Sequence, residues 1–104
     1  MANSRRKGAD AEREFRDVLR SHGFFAERDG RLDADLAHDV PGVHFEVKRR
    51  ERLEINEWIS QAERDAGGKT PVVAFRRSRQ PWRVIVPADE YLRLKKLETG
   101  KGSE

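Results

Sequence analysis

The sequence predicts an α/β fold, a mixed central sheet flanked by helices, with elements in the order α-β-β-β-α-β-β-α. Three observations carry this. Three stretches repeat apolar residues at helical spacing. Five shorter stretches alternate apolar and polar residues or are almost wholly apolar, as strands do. The segment between the third and fourth strands is long enough to hold a helix, so those strands run parallel with a right-handed crossover.

The first helix is "GADAEREFRDVLRSHGF", where Ala11, Phe15, Val18 and Leu19 fall at i, i+4, i+7 and i+8 and Gly23 ends it. The strand "FFAER" follows, then the loop "RDGRLD" and a second short strand, "ADLAH". Pro41-Gly42 is the pair favoured at the centre of a type II turn. It is expected to fold that strand back as an antiparallel hairpin onto "VHFEVKR", residues 43–49. In this third strand Val43, Phe45 and Val47 point one way and His44, Glu46 and Lys48 the other. "INEWISQAERDAGG" carries the stripe Ile55, Ile59, Ala62 and Ala66 with Trp58 beside it; Asn56 is the expected N-cap and Gly67-Gly68 the stop. "PVVAFRR" is apolar almost throughout and suits a central strand. "WRVIVP" is the last strand, with Trp82 packing into the core or covering an edge. "ADEYLRLKKLE" closes as a helix that turns Tyr91, Leu94 and Leu97 inward. One domain is expected over 1–104, with a loose basic arm at the start and flexible ends at 1–4 and 98–104.

Charged residues make up 39% of the 104 residues and hydrophobic ones 36%. Apolar clusters recur at regular places, which excludes disorder for the chain as a whole. Lys and Arg number 22 against 19 acids, a net charge of +3. The grouping says more than the sum: Arg5-Arg6-Lys7, Arg49-Arg50-Arg52, Arg76-Arg77-Arg79 and Lys95-Lys96. Several basic clusters on one small domain fit a polyanionic partner, nucleic acid most simply; a solvated surface laced with ion pairs fits the charges equally. With no cysteine, disulfides, zinc-thiolate sites and cysteine nucleophiles are excluded. No apolar run approaches membrane-spanning length and no signal-peptide core is present. The expectation is a soluble cytoplasmic protein with no membrane partner.

Glu46 and Lys48 share one strand face, roughly 6.6 Å apart at the backbone. A carboxylate there can bind a hard cation, and an ammonium can hold or activate a water. E-x-K alone is common on exposed strands. Its surroundings add to it: the expected hairpin brings Asp35 alongside Glu46, and Asp33 shares that face if the strand begins there. Asp39, nearer the turn, reads as a turn residue. Carboxylates concentrated in this way need a cation or a basic residue to offset them. Oxygen ligands without cysteine select Mg²⁺ or Mn²⁺ over zinc. Glu12 sits at the edge of the first helix's apolar face, where the plain reading is an i, i+4 ion pair with Arg16; Glu14 has a similar local role. Gln61 either orients a water or phosphate or faces solvent. His22, His38 and His44 show no metal-ligand spacing, and His44 reads as a surface residue. No phosphate loop or serine elbow occurs, and nothing calls for a small-molecule cofactor.

The ordered set of elements, with Asp on the second strand and E-x-K on the third, resembles the PD-(D/E)xK nuclease superfamily and its restriction-endonuclease-like α-β-β-β-α-β core. More narrowly it resembles the archaeal-type Holliday junction resolvases and their phage relatives. "RKGADAEREF" is similar to that family's opening "RKG…E", "ADLAHDVPGVHFEVKRR" to its active-site hairpin, and "SQAERDAGGKTPVVAFRR" to the helix and strand that follow. The signature's proline is Ala34 here, which leaves Asp33 beside Asp35 as the signature acid; the resolvases' loop serine has no counterpart in "RDGRLD".

The resemblance implies Glu12, Asp35, Glu46 and Lys48 as catalytic residues. Mg²⁺, or Mn²⁺ in its place, would be held by Asp35, Glu46 and Glu12. Arg5, Arg6, Lys7, Arg49, Arg50, Gln61, Arg76 and Arg77 would contact DNA. It implies paired cleavage of four-way junctions by a homodimer in the cytoplasm, the host's if the protein is phage-encoded. Other readings are a repair, nicking or restriction-type endonuclease of the same superfamily, a non-catalytic DNA-binding module, and a protein-interaction domain.

Overall fold

In a computed structural model, which describes residues 4–28 and 36–100, helix α1 spans Ser4–Ser21. It starts four residues before the predicted helix at Gly8 and takes in Arg5, Arg6 and Lys7. Such residues propagate a helix well but leave no apolar mark in the sequence. The helix ends in a Schellman motif: Phe24 N donates to Leu19 O at 3.1 Å and Gly23 N to Arg20 O at 3.0 Å. Gly23 has φ +90°, which a residue with a Cβ adopts only with strain.

Strands β1 (Ala26–Arg28) and β2 (Leu36–His38) form a two-stranded antiparallel ribbon, with Ala26 opposite His38. Strand β3 (Val43–Arg49) pairs in parallel with β4 (Thr70–Arg76), Val43 opposite Thr70 and Arg49 opposite Arg76. Strand β5 (Arg83–Ile85) runs antiparallel to β4 on its other side, so β4 is central, as its apolar sequence predicts. The mixed sheet and its flanking helices are the predicted α/β architecture.

The expected β2–β3 hairpin is corrected. Among the described residues β2 pairs with β1, not β3. Asp39 extends that ribbon: its N–H donates to Phe25 O, and its carboxylate accepts from Phe25 N at 2.9 Å. Its side chain therefore fastens β1 instead of serving the turn. The turn itself forms as predicted, with Gly42 at φ +71°. Strands β2 and β3 meet through side chains, the His38 and Phe45 rings lying edge to face at 4.9 Å.

Two apolar layers sandwich the sheet. On one face Phe15 and Leu19 of α1 pack with Ala26 and Ala74, joined by Phe45, Val47 and Trp82. The Phe15 ring lies 5.1 Å from Phe45 and 5.2 Å from Trp82. On the other face helix α2 (Ile55–Asp65) lays Trp58 and Ala62 onto Val73, with Ile59, Phe75 and Ile85 around them. Ile55, predicted in this stripe, is largely exposed. The N-cap position is Glu54, not Asn56, and Trp58 N donates to Glu54 O at 3.0 Å.

Helix α3 (Ala88–Thr99) departs from expectation. Tyr91, Leu92, Leu94 and Leu97 are 48–61% exposed, and none of the helix's residues is buried. The reason is geometric: α1 and α2 already cover both sheet faces, so no face is left for Tyr91, Leu94 and Leu97 to turn toward. No helix among the described residues is long and apolar enough to cross a membrane.

Candidate active site

Pleating sends Phe45 and Val47 toward α1 and His44, Glu46 and Lys48 toward α2. Register confirms the division: Glu46 lies beside Val73 and Lys48 beside Phe75, both on the α2 face. The polar face of β3 is therefore not a wet surface. The side chains of His44, Glu46 and Lys48 are only 13%, 13% and 15% exposed.

Helix α2 runs back over β3, so its later residues lie above the strand's earlier ones. Gln61 and Asp65, one turn apart, face the same strip. Lys48 Nζ donates to Gln61 Oε1 at 3.0 Å and lies 3.4 Å from Glu46 Oε2. His44 Nε2 lies 3.9 Å from Glu46 Oε1, and Asp65 completes a cluster whose ligand atoms all fall within 4.8 Å of one another. Burial pushes the Glu46 carboxyl above the usual glutamate range; Lys48 pulls it down through charge and hydrogen bonding, Asp65 adds to the rise and His44 opposes it. An acid and an amine held together with little water is the environment in which a group's protonation is tuned for chemistry.

Glu46 and Lys48 thus come together as the sequence paired them. Gln61, half-buried, joins them by accepting the Lys48 hydrogen bond. His44 is not a surface residue, and Asp65 was not singled out at all. Its one legible signal is the four-residue spacing from Gln61. Asp33 and Asp35 lie outside the described residues. Glu12 is not paired with Arg16, which bonds Asp17 instead. Its Oε1 accepts from Arg28 Nε at 2.8 Å, tying α1 to β1. Glu12 issues from the helix on the Phe45 face, whereas Glu46 points to the opposite one.

The basic residues divide by role. Glu14 is no local partner: it accepts two bonds from Arg76, at 2.8 and 3.2 Å, and lies 3.0 Å from Arg49. The Arg76 guanidinium beside Glu14 holds its carboxyl below the usual range. This bracket clamps α1 to the carboxyl ends of β3 and β4. Arg50 donates to Arg49 O, and Arg77 is exposed. Arg49, Arg50, Glu51 and Ser78 line a cavity of about 270 Å³ at the same end of the sheet, with Ser78 N donating to Glu51 Oε2. The side chains of Arg5, Arg6 and Lys7 lie outside the described residues.

The donors around Glu46 suit a divalent cation. Two carboxylates and an imidazole converge, and His44 Nε2 is buried without a hydrogen-bond partner among the described residues. No curated protein and no solved structure gives a significant match to the chain. Residues 3–101 match the family described as "Phage putative PDDEXK endonuclease", a span that takes in α1, the E-x-K strand, α2 and the strands after it. The chain belongs to this phage PDDEXK endonuclease family, and through it to the PD-(D/E)xK nuclease superfamily.

Proposed function

We propose that the protein is a metal-dependent endodeoxyribonuclease that resolves four-way DNA junctions by paired hydrolysis of phosphodiester bonds, acting as a homodimer. The observation that carries the nuclease reading is the shielded Glu46–Lys48–Gln61 group on β3 and α2. Any shielded lysine needs such partners; held still between them, this ammonium is also pre-oriented for catalysis.

Glu46, with Asp35, would hold Mg²⁺ or Mn²⁺. Such an ion, when bound, polarises a phosphate and makes water more acidic. Lys48, oriented by Gln61, presents its ammonium where it can position the attacking water or stabilise the negative charge that develops on the phosphate oxygens. Arg50 and the exposed Arg77 would take backbone phosphates without reading bases. Glu14 holds Arg49 and Arg76 at the same rim. The four-way junction is favoured by the resemblance of the RKG…E, hairpin and glutamine segments to junction resolvases. The homodimer is favoured by the need to cut two symmetric strands and by the unburied apolar residues of α3.

The test is cleavage of a labelled four-way junction against a matched linear duplex, with Mg²⁺ or EDTA. Paired symmetric cuts in the junction alone, lost with EDTA and in Glu46→Ala, are expected. Equal cleavage of the duplex would assign another superfamily endonuclease. Tight binding without cutting would leave a DNA-binding module, and no binding at low salt a protein-interaction domain.

A further inference from the structure

We propose that His44 and Asp65 act with Glu46 as a mixed imidazole–carboxylate metal site, and that this site selects Mn²⁺ over Mg²⁺. The inference rests on the metal-dependent reading above but concerns ligands that the E-x-K pattern does not contain.

The first argument is convergence. His44 and Glu46 are two residues apart on β3, and Asp65 comes from the last turn of α2. Their ligand atoms all lie within 4.8 Å of one another, with His44 Nε2 at 3.9 Å from Glu46 Oε1. Oxygen donors sit about 2.1 Å from a small divalent ion, so two donors of one octahedral ion are roughly 3 Å apart when adjacent and about 4.2 Å when opposite. Contraction of roughly 1–2 Å brings the three into one shell.

The second argument is an unmet need. His44 Nε2 is buried and has no hydrogen-bond partner among the described residues. A buried polar atom without a partner is rare and costs desolvation energy. His44 Nε2 lies 3.9 Å from Glu46 Oε1, too far for a hydrogen bond, and a cation held between the imidazole and the carboxylates would give it a partner. Lys48 contacts Glu46, and among the described residues no cation pairs with Asp65. The cluster therefore holds two carboxylates with only one touching ammonium.

The third argument is ligand chemistry. Mg²⁺ takes oxygen donors and gives up its water reluctantly, whereas imidazole favours transition ions. With two carboxylates and one imidazole, the site accepts Mn²⁺ readily and gains little from Mg²⁺ at His44.

The test uses the full chain without DNA. Mn²⁺ binding is followed by electron paramagnetic resonance, and electron spin-echo modulation reads nitrogen coordinated to the bound ion. Wild type is expected to show ¹⁴N modulation and to hold Mn²⁺ about tenfold or more tightly than Mg²⁺ in competition. His44→Gln should lose the modulation and weaken Mn²⁺ while leaving Mg²⁺ affinity nearly unchanged. Asp65→Asn should weaken Mn²⁺ while keeping the modulation; lying at an exposed helix end, it also serves if His44→Gln folds poorly. Absence of ¹⁴N modulation in wild type, or wild-type Mn²⁺ affinity in Asp65→Asn, overturns the proposal. The two readings fail separately. Nitrogen-coordinated Mn²⁺ with no cleavage of any DNA would remove the endonuclease reading alone. Mg²⁺-dependent cleavage with an all-oxygen Mn²⁺ signal would remove this one alone.

Discussion

Lys48→Met should destabilise the metal-free protein strongly at pH 8 and weakly at pH 5, and Glu46→Gln should reverse the effect. Lys48 and Glu46 are 15% and 13% exposed and 3.4 Å apart. Removing one partner of a buried ion pair costs about 3–5 kcal/mol. A ceiling applies, because Glu46 can take up a proton instead of remaining charged and unpaired. Against an unfolded value near 4.3, that proton costs roughly 5 kcal/mol at pH 8 and about 1 kcal/mol at pH 5. The residual exposure of the pair lowers the first figure, so a loss of about 2–4 kcal/mol at pH 8 is expected. At 4–8 °C per kcal/mol this is a midpoint lowered by roughly 8–32 °C.

Glu46→Gln alone should cost less than Lys48→Met at pH 8, because the neutral form of this carboxyl is already favoured in the folded protein. Its carboxyl is raised in the folded protein, so the stability it contributes is present below the unfolded value and lost as pH rises through the folded one. The double variant should return to near wild type. Urea unfolding followed by fluorescence of Trp58, 3% exposed beneath α2, reads all four proteins in EDTA. A loss below about 0.5 kcal/mol for Lys48→Met at pH 8, the range of ordinary surface substitutions, would refute the claim that this lysine neutralises a shielded carboxylate.

Two further outcomes follow from the structure. Glu14→Gln should cost about 1–2 kcal/mol, less than a buried pair because Glu14 is 33% exposed and solvent-screened, and thermal unfolding within error of wild type would show that the α1–β3–β4 bracket does not hold. His38 should make the protein acid-sensitive between pH 7 and 5. Burial first, then Lys69 and His44, lower its pKa against the pull of Asp39, so the neutral ring is favoured and stability present above about 6.5 is lost as pH falls toward the folded value. Protonation also removes the Nδ1 acceptor of Val40 N. His38→Asn, which keeps an acceptor but cannot titrate, should flatten the slope; an unchanged slope would assign the sensitivity elsewhere.

Features set by short-range geometry were legible from the residues alone. Two-residue alternation over 43–49 was enough to put His44, Glu46 and Lys48 on one face, and the apolar run at 71–77 to make β4 central. Gly23 and Gly42 marked turns because their positive φ is a local demand. Features that depend on partners far apart in the chain emerged only on folding. Lys48 meets Gln61 thirteen residues on, and Arg76 meets Glu14 across 62. Strand β2 took β1 instead of β3, because any strand edge can satisfy another and Asp39 tipped the choice. The leucines of α3 stayed exposed although their spacing is helical, because burial requires a vacant face and α1 and α2 had taken both. Local pattern states which side a residue points to; what waits on that side is set by how the layers stack. That is why His44, the acid and the lysine were visible on one face in the sequence, while Gln61 and Asp65 became their neighbours only in the folded chain.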